Sequence, residues 1–212
     1  MKNWEYGEKY KSYDMNGIIE IGGGLLKVHD IYEEVPEFMK QADALFVDPP
    51  YNLSALNSYN TKANKSDCEY NFDNFIKRLF YYIETINPKT VFIEIGKRNL
   101  STFKQECEKR FEYVEVDDST YYHKNPCYII RCSNLPLEFN PNKECGTILD
   151  EEDYIKYVCK NLDYECIADP CMGQGLVGYN SFLNGKRFVG TELNYKRLAV
   201  LVDKIAKDLG GI

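Results

Sequence analysis

The chain has 212 residues, 44% of them hydrophobic and 28% charged, which is enough apolar material for one domain with a sizeable core. No apolar run approaches the roughly 20 residues that a membrane span needs, and the opening Met-Lys-Asn-Trp lacks the apolar stretch of a signal peptide, so a cytoplasmic protein without membrane contact is expected. The formal net charge of −7 excludes a generally basic nucleic-acid binder, and any grip on phosphates must come from a local basic face, for which Lys62, Lys65, Lys97, Arg98 and Lys124 are available.

In chain order, short apolar strands are predicted at residues 18–21, 25–29, 44–47, 90–95, 113–116, 128–131, 166–168 and 187–191. Between them Phe72, Phe75, Ile76, Leu79, Phe80, Ile83 and Ile86 recur at helical spacing until Pro88. Residues 150–162 predict a second helix with Tyr154, Ile155 and Val158 facing the core, and Leu198, Leu201, Val202, Ile205 and Leu209 a third, closed by Gly210 and Gly211. Two polar stretches, 52–71 and 133–147, fit neither period and read as long loops. Strands alternating with helices predict one α/β domain over residues 1–212 with a mostly parallel sheet. Its earlier half spans about 17–131 and its later half about 148–212. The eight cysteines include no Cys-x-x-Cys pair and the chain has only two histidines, so reduced core thiols are expected, with no metal.

The first chemical constellation is Asp48-Pro49-Pro50-Tyr51-Asn52, delivered by the apolar strand Leu45-Phe46-Val47. In open α/β sheets the carboxyl end of a strand is where ligands bind. A bland reading is a strand entering a rigid Pro-Pro turn. The chemical reading starts from the exocyclic amino group of a nucleobase, whose lone pair is delocalised into the ring. The Asp48 carboxylate and the Pro49 carbonyl are two acceptors at a spacing set by the proline rings, suited to gripping such a group, while Tyr51 can stack on a base taken out of the duplex. Asn52 follows as a further substrate contact.

The second constellation is the strand Cys166-Ile167-Ala168 running into Asp169-Pro170-Cys171-Met172-Gly173-Gln174-Gly175, a glycine turn that opens a helix. At the end of the next strand stands Glu192, where an acid can hydrogen-bond ribose hydroxyls. Gly178 completes a nominal Gly-x-Gly-x-x-Gly, but a nicotinamide site would normally open its domain, and here the Asp48 element precedes it.

In this order the two motifs resemble the permuted, beta-class DNA amino-methyltransferases, which act on adenine N6 or cytosine N4. The resemblance runs from about Leu25 to the C-terminus. It implies a class I (Rossmann-like) S-adenosylmethionine-dependent fold with circularly permuted motif order. By the same resemblance Asp48, Pro49, Pro50 and Tyr51 are the catalytic motif, Asp169, Pro170, Cys171, Gly173 and Gly175 the cofactor turn, and Glu192 the ribose acid. Aspartate at the first catalytic position is similar to the adenine-N6 members. The expected cofactor is S-adenosylmethionine and the expected partner DNA, its target base flipped.

Three features depart from that family, the first being Cys171 at a place often held by Phe. Gly146-Thr147-Ile148-Leu149-Asp150-Glu151-Glu152 stands where it usually carries His-Pro and Lys-Pro, and no separate target-recognition region is present, so a homodimer or a partner subunit is expected to supply recognition. Asp30 can face cofactor or base, or cap a helix. Lys124, beside His123 and Asn125, can contact phosphate or base, or sit in a solvated turn. The alternatives are an RNA adenine or cytosine-N4 methyltransferase and a non-catalytic cofactor-binding subunit.

Overall fold

The computed structural model describes residues 6–65, 71–136 and 138–210. Its strands are β1 (Ile18–Ile21), β2 (Gly24–Val28), β3 (Ala44–Val47), β4 (Thr90–Gly96), β5 (Tyr113–Tyr121), β6 (Asn125–Ser133), β7 (Cys166–Asp169) and β8 (Arg187–Glu192). The helices are α1 (Leu53–Lys62), α2 (Phe72–Ile86), α3 (Leu100–Glu108), α4 (Pro141–Cys145), α5 (Glu151–Asn161), α6 (Leu176–Leu183) and α7 (Tyr195–Asp208). One eight-stranded sheet holds the strands in the order β1-β2-β8-β7-β3-β4-β6-β5. The central strands from β2 to β4 run parallel, whereas β1 pairs antiparallel with β2, β6 with β4, and β5 with β6.

Period-2 alternation sorts the core into two layers. Leu45 and Val47 of β3 join Val91, Ile93 and Ile95 of β4 against Phe75, Ile76, Leu79, Phe80 and Ile83 of α2. Ala44, Phe46 and Phe92 face the other way, against Tyr154, Ile155 and Val158 of α5 and Leu198, Leu201 and Val202 of α7. Each Leu, Ile, Val or Phe side chain among them taken out of water contributes about 1.5–3 kcal/mol. Asn71 caps the start of α2 by accepting from the Asp73 N–H at 2.8 Å, and Asn87 ends it in the left-handed region at φ 55°.

The stretch 52–71, read as a loop, contains α1 between Asn52 and Ala63, and residues 66–70 lie outside the described residues. The helix escapes notice because its buried side is only Leu56 and the polar Asn60. The stretch 133–147 likewise holds α4, with Asn140 as cap, Pro141 at its start and Gly146 at φ 68° at its end. Strands β5 and β6 extend well past 113–116 and 128–131, as a hairpin of nine residues on each side, because Asp117 and Ser119 occupy inward positions normally apolar. Leu209, expected in the core, lies past the end of α7 and is 60% exposed. No disulfide forms among the described cysteines, of which Cys107, Cys127, Cys132, Cys159 and Cys166 are buried. No described helix is long and apolar enough to cross a membrane.

Candidate functional site

The strands that carry the two motifs are neighbours: β3 and β7 pair in parallel, with Ala44 opposite Ile167 and Leu45 opposite Ala168. Chain order turns back on itself between them, since β8 lies beyond β7 on one side and β4 beyond β3 on the other. This is a topological switch point, where the loops leaving adjacent strands part and open a crevice. A cavity of about 390 Å³ occupies it, lined by Asp48, Pro50, Asp169, Gly173, Gly175 and Glu192 together with Asp30, Glu94, Glu151 and Arg197. That volume is in the range of small-molecule sites.

After β3 the buried Pro49 and Pro50 lead into Tyr51, whose carbonyl accepts from Asn99 Nδ2 at 2.6 Å. The Tyr51 ring lies against Gly96, where a Cβ would come within 2.9 Å of it, and its hydroxyl donates to Glu94. The Tyr121 ring meets it edge-on at 6.1 Å. Asp48 is exposed to the cavity yet ringed by protein, and this enclosure, with Glu94 nearby, holds its carboxyl well above the usual range. Asn52 caps α1, its side chain accepting from the Ala55 N–H at 3.0 Å. Neither Pro49, Tyr51 nor Asn52 is among the cavity-lining residues.

After β7, Asp169 is buried and accepts the Cys171 N–H at 3.0 Å. The turn folds back by the Gly175 N–H to Met172 carbonyl bond of 2.7 Å, with Gly173 at φ 57° and Gly175 at φ 78°. Only glycine enters that region at no steric cost, and a Cβ at Gly175 would also strike the Leu201 side chain. Glu192 ends β8, its two oxygens accepting the N–H groups of Gly173 and Asn194. Burial raises its pKa, opposed by Arg197 and these N–H groups.

Asp30 lines the cavity without capping a helix: it accepts the Tyr32 N–H at 3.1 Å and pairs with Lys65. Lys124 lies at the exposed tip of the β5–β6 hairpin, outside the cavity lining. There Tyr122 and His123 both adopt positive φ, held by the His123 N–H to Asp150 bond of 2.7 Å.

Among the cavity residues with no role assigned from sequence are Glu94, Glu151, Tyr121 and Arg197. Glu94 was signalled by a carboxylate inside the apolar run Val91-Phe92-Ile93-Glu94-Ile95. It is 1% exposed, and its pKa is pushed up to about 8 by burial and by Glu151. Glu151 is pushed up to about 7, mainly by burial. Arg197 stacks over Tyr59 at 4.9 Å, and its buried Nε has no partner. A ligand with hydroxyl groups would find acceptors in Glu192 and Asp169, and one with a carboxylate would find a donor in Arg197.

The fold is that of the class I methyltransferases. Among solved structures, the M1.HpyAVI-SAM complex matches at a TM-score of 0.61 and 14% identity, over 85% of this chain and 98% of that one. TTHA0409 of Thermus thermophilus, assigned as a DNA modification methylase and solved with S-adenosyl-L-methionine, matches at 0.60 and 14%, over 88% and 95%. The cytosine-N4-specific PvuII DNA methyltransferase matches at 0.52 and 11%, over 90% and 94%. No protein-family model and no curated protein sequence matches the chain.

Proposed function

We propose that this chain transfers a methyl group from S-adenosylmethionine to an exocyclic amino group in DNA, adenine N6 in the first place. The observation that carries this reading is the meeting of Asp48 and the Gly173–Gly175 turn in one cavity, on adjacent parallel strands. The structural neighbours support it: two were solved with S-adenosylmethionine and two are described as acting on DNA.

The cavity suits that cofactor. When bound, S-adenosylmethionine supplies an electrophilic methyl on a cationic sulfonium, and the carboxylates of Asp48, Asp169 and Glu192 make the surroundings acidic. Glu192 would hold the ribose, the glycine turn would let the backbone approach, and Arg197 Nε would meet the amino-acid carboxylate. Asp48 and the Pro49 carbonyl would grip the target amino group, and Asp48 would take the proton that the nitrogen loses on methylation.

A basic rim fits a DNA backbone. Lys97 and Arg98 follow β4, Lys62 ends α1 and Lys124 tips the β5–β6 hairpin, all at the carboxyl edge of the parallel strands, and all four are exposed. Recognition would need a second protomer or a partner subunit, given the net charge of −7.

The test is methyl transfer from labelled cofactor to random-sequence DNA and RNA, with mass analysis of the product nucleosides. N6-methyladenine in DNA is expected, and N4-methylcytosine would transfer the reading to the other base. Asp48→Ala should abolish transfer while cofactor affinity stays nearly unchanged. Turnover at the wild-type rate in that variant would overturn the mechanism.

A further inference from the structure

Deep in the cavity, beside Asp48, Glu94 and Glu151 approach each other. Alternation along β4 turns Glu94 to the α5 side of the sheet, where Glu151 is the first residue of α5. Their carboxylate oxygens and the Cys127 sulfur all lie within 4.8 Å of one another, and both glutamates are at least nine-tenths buried. Glu94 accepts from the Tyr51 hydroxyl, whereas Glu151 Oε2 is buried with no partner. Among the described residues no Lys or Arg pairs with either glutamate.

The groups around the pair are acidic or neutral: Asp48 after β3, Tyr51 in the loop beyond it, Cys127 on β6, Tyr121 on β5, and Asp150 and Glu152 flanking Glu151. Arg197 reaches Asp48 and Glu192 from α7. Like charges so close cannot all persist in a low-dielectric site, so a proton is retained among them. The Cys127 thiol, pushed up to about 12, stays neutral and is a poor metal ligand.

We propose that Glu94 and Glu151 form a proton-sharing carboxyl pair that binds the ring edge of the target base, donating a hydrogen bond to the ring nitrogen beside the amino group that Asp48 holds. The inference rests on the function proposed above. An amidine edge, common to adenine and cytosine, shows a donor beside an acceptor, and a carboxylic acid shows the complement. A carboxylate alone offers no donor. Thymine and uracil carry no amino group at that edge and would meet the pair with the wrong pattern. Reading a flipped base along its pairing edge is the usual recourse of enzymes that modify it. The proton stays on the pair, because full transfer to the ring would draw the amino lone pair away from the methyl group. The pair therefore acts in binding, and its loss is read in KM before kcat.

The experiment measures KM for random-sequence DNA from pH 6 to 9.5 in the wild type, Glu94→Gln and Glu94→Leu, with Glu151→Gln as a second position. In the wild type KM should rise as pH passes about 8. Glu94→Gln keeps a donor, so its KM should stay flat through that range. Glu94→Leu should raise KM about tenfold at pH 7, the size of one lost hydrogen bond at about 1.4 kcal/mol. A KM indifferent to pH and to Glu94→Leu, with DNA still methylated, overturns the pair and leaves the proposed function standing. Failure of the wild type to methylate DNA removes the base assignment with that function. Carboxyl-carbon NMR of the full chain decides the proton separately: resonances of Glu94 and Glu151 titrating near 4.5 overturn the shared proton, and a stoichiometric bound metal found by elemental analysis would overturn it too.

Discussion

The carboxylate of Glu192 bridges the glycine turn and the N-cap of α7, taking the Gly173 N–H at 2.7 Å on one oxygen and the Asn194 N–H at 2.9 Å on the other. The same side chain that would hold a ribose thus sets the shape of the turn beneath it. Glu192→Ala should weaken S-adenosylmethionine binding by about 1–3 kcal/mol, the range for a hydrogen bond to a charged acceptor. Glu192→Gln keeps an acceptor and should lose less. Calorimetric affinity unchanged in the alanine variant would remove Glu192 from the cofactor site.

A second buried charge has a purely structural role. Arg131 of β6 is fully buried, its Nε 2.7 Å from Asp117 of β5 and its Nη1 2.9 Å from the Phe139 carbonyl, with Nη2 on Glu115, while the Tyr154 hydroxyl of α5 donates to the same Asp117 at 2.6 Å. Removing Asp117 leaves the buried guanidinium only Glu115, whose side chain is 58% exposed, as a counter-charge, a loss of up to about 3–5 kcal/mol. Asp117→Ala should lower the urea midpoint accordingly. The double variant Asp117→Leu, Arg131→Met should recover much of the loss, and equal loss in both would show that packing governs the site.

Stability should depend on pH through Glu94 and Glu151. Their folded-state values, about 8 and about 7, lie above the ordinary glutamate value of 4.5. The folded state therefore keeps protons that the unfolded chain releases. Their contribution is complete below about pH 4.5 and is lost as pH rises to about 8, with a slope of up to about 1.4 kcal/mol per pH unit for each proton. Thermal midpoints should fall across that window in the wild type and fall less steeply in Glu94→Gln. A wild-type midpoint that does not decline from pH 5 to 8 would refute the raised values.

The strands that carry the site were legible because β3 and β7 are continuous apolar runs that end in Asp48 and Asp169. Their adjacency is a finding of the fold, in which Ala44 pairs with Ile167 and Leu45 with Ala168. Helix α1 was not legible, since its inward face includes Asn60, and polar side chains give no hydrophobic period. The length of the β5–β6 hairpin was hidden for a related reason: Asp117 and Ser119 face inward, and only the partners Arg131, Tyr154 and the Leu149 carbonyl explain them. Glu94 and Glu151 are 57 positions apart in sequence, as their numbers show, and nothing local to either says that they meet. Contacts of that kind come from the fold.

The rim residues Lys62, Lys97, Arg98 and Lys124 are four cations on a chain of net charge −7, and Lys65 pairs with Asp30. Non-specific affinity rests on phosphates neutralised, with dissociation constants of roughly 10⁻⁴–10⁻⁶ M even for proteins suited to it, and its salt slope is about −0.9 per phosphate on duplex DNA. A lone protomer should therefore bind duplex weakly, with a slope no steeper than about −4. Two protomers, or one with a basic partner, would join rims and steepen the slope. Titration of labelled duplex at several salt concentrations, with mass measured by light scattering in the same buffer, checks this. Lys97→Glu with Arg98→Glu should weaken binding and flatten the slope while leaving S-adenosylmethionine affinity unchanged. Tight, steeply salt-dependent binding by a protein shown to be monomeric would refute the need for a second subunit, and would mean that one rim suffices to hold the duplex over the cavity.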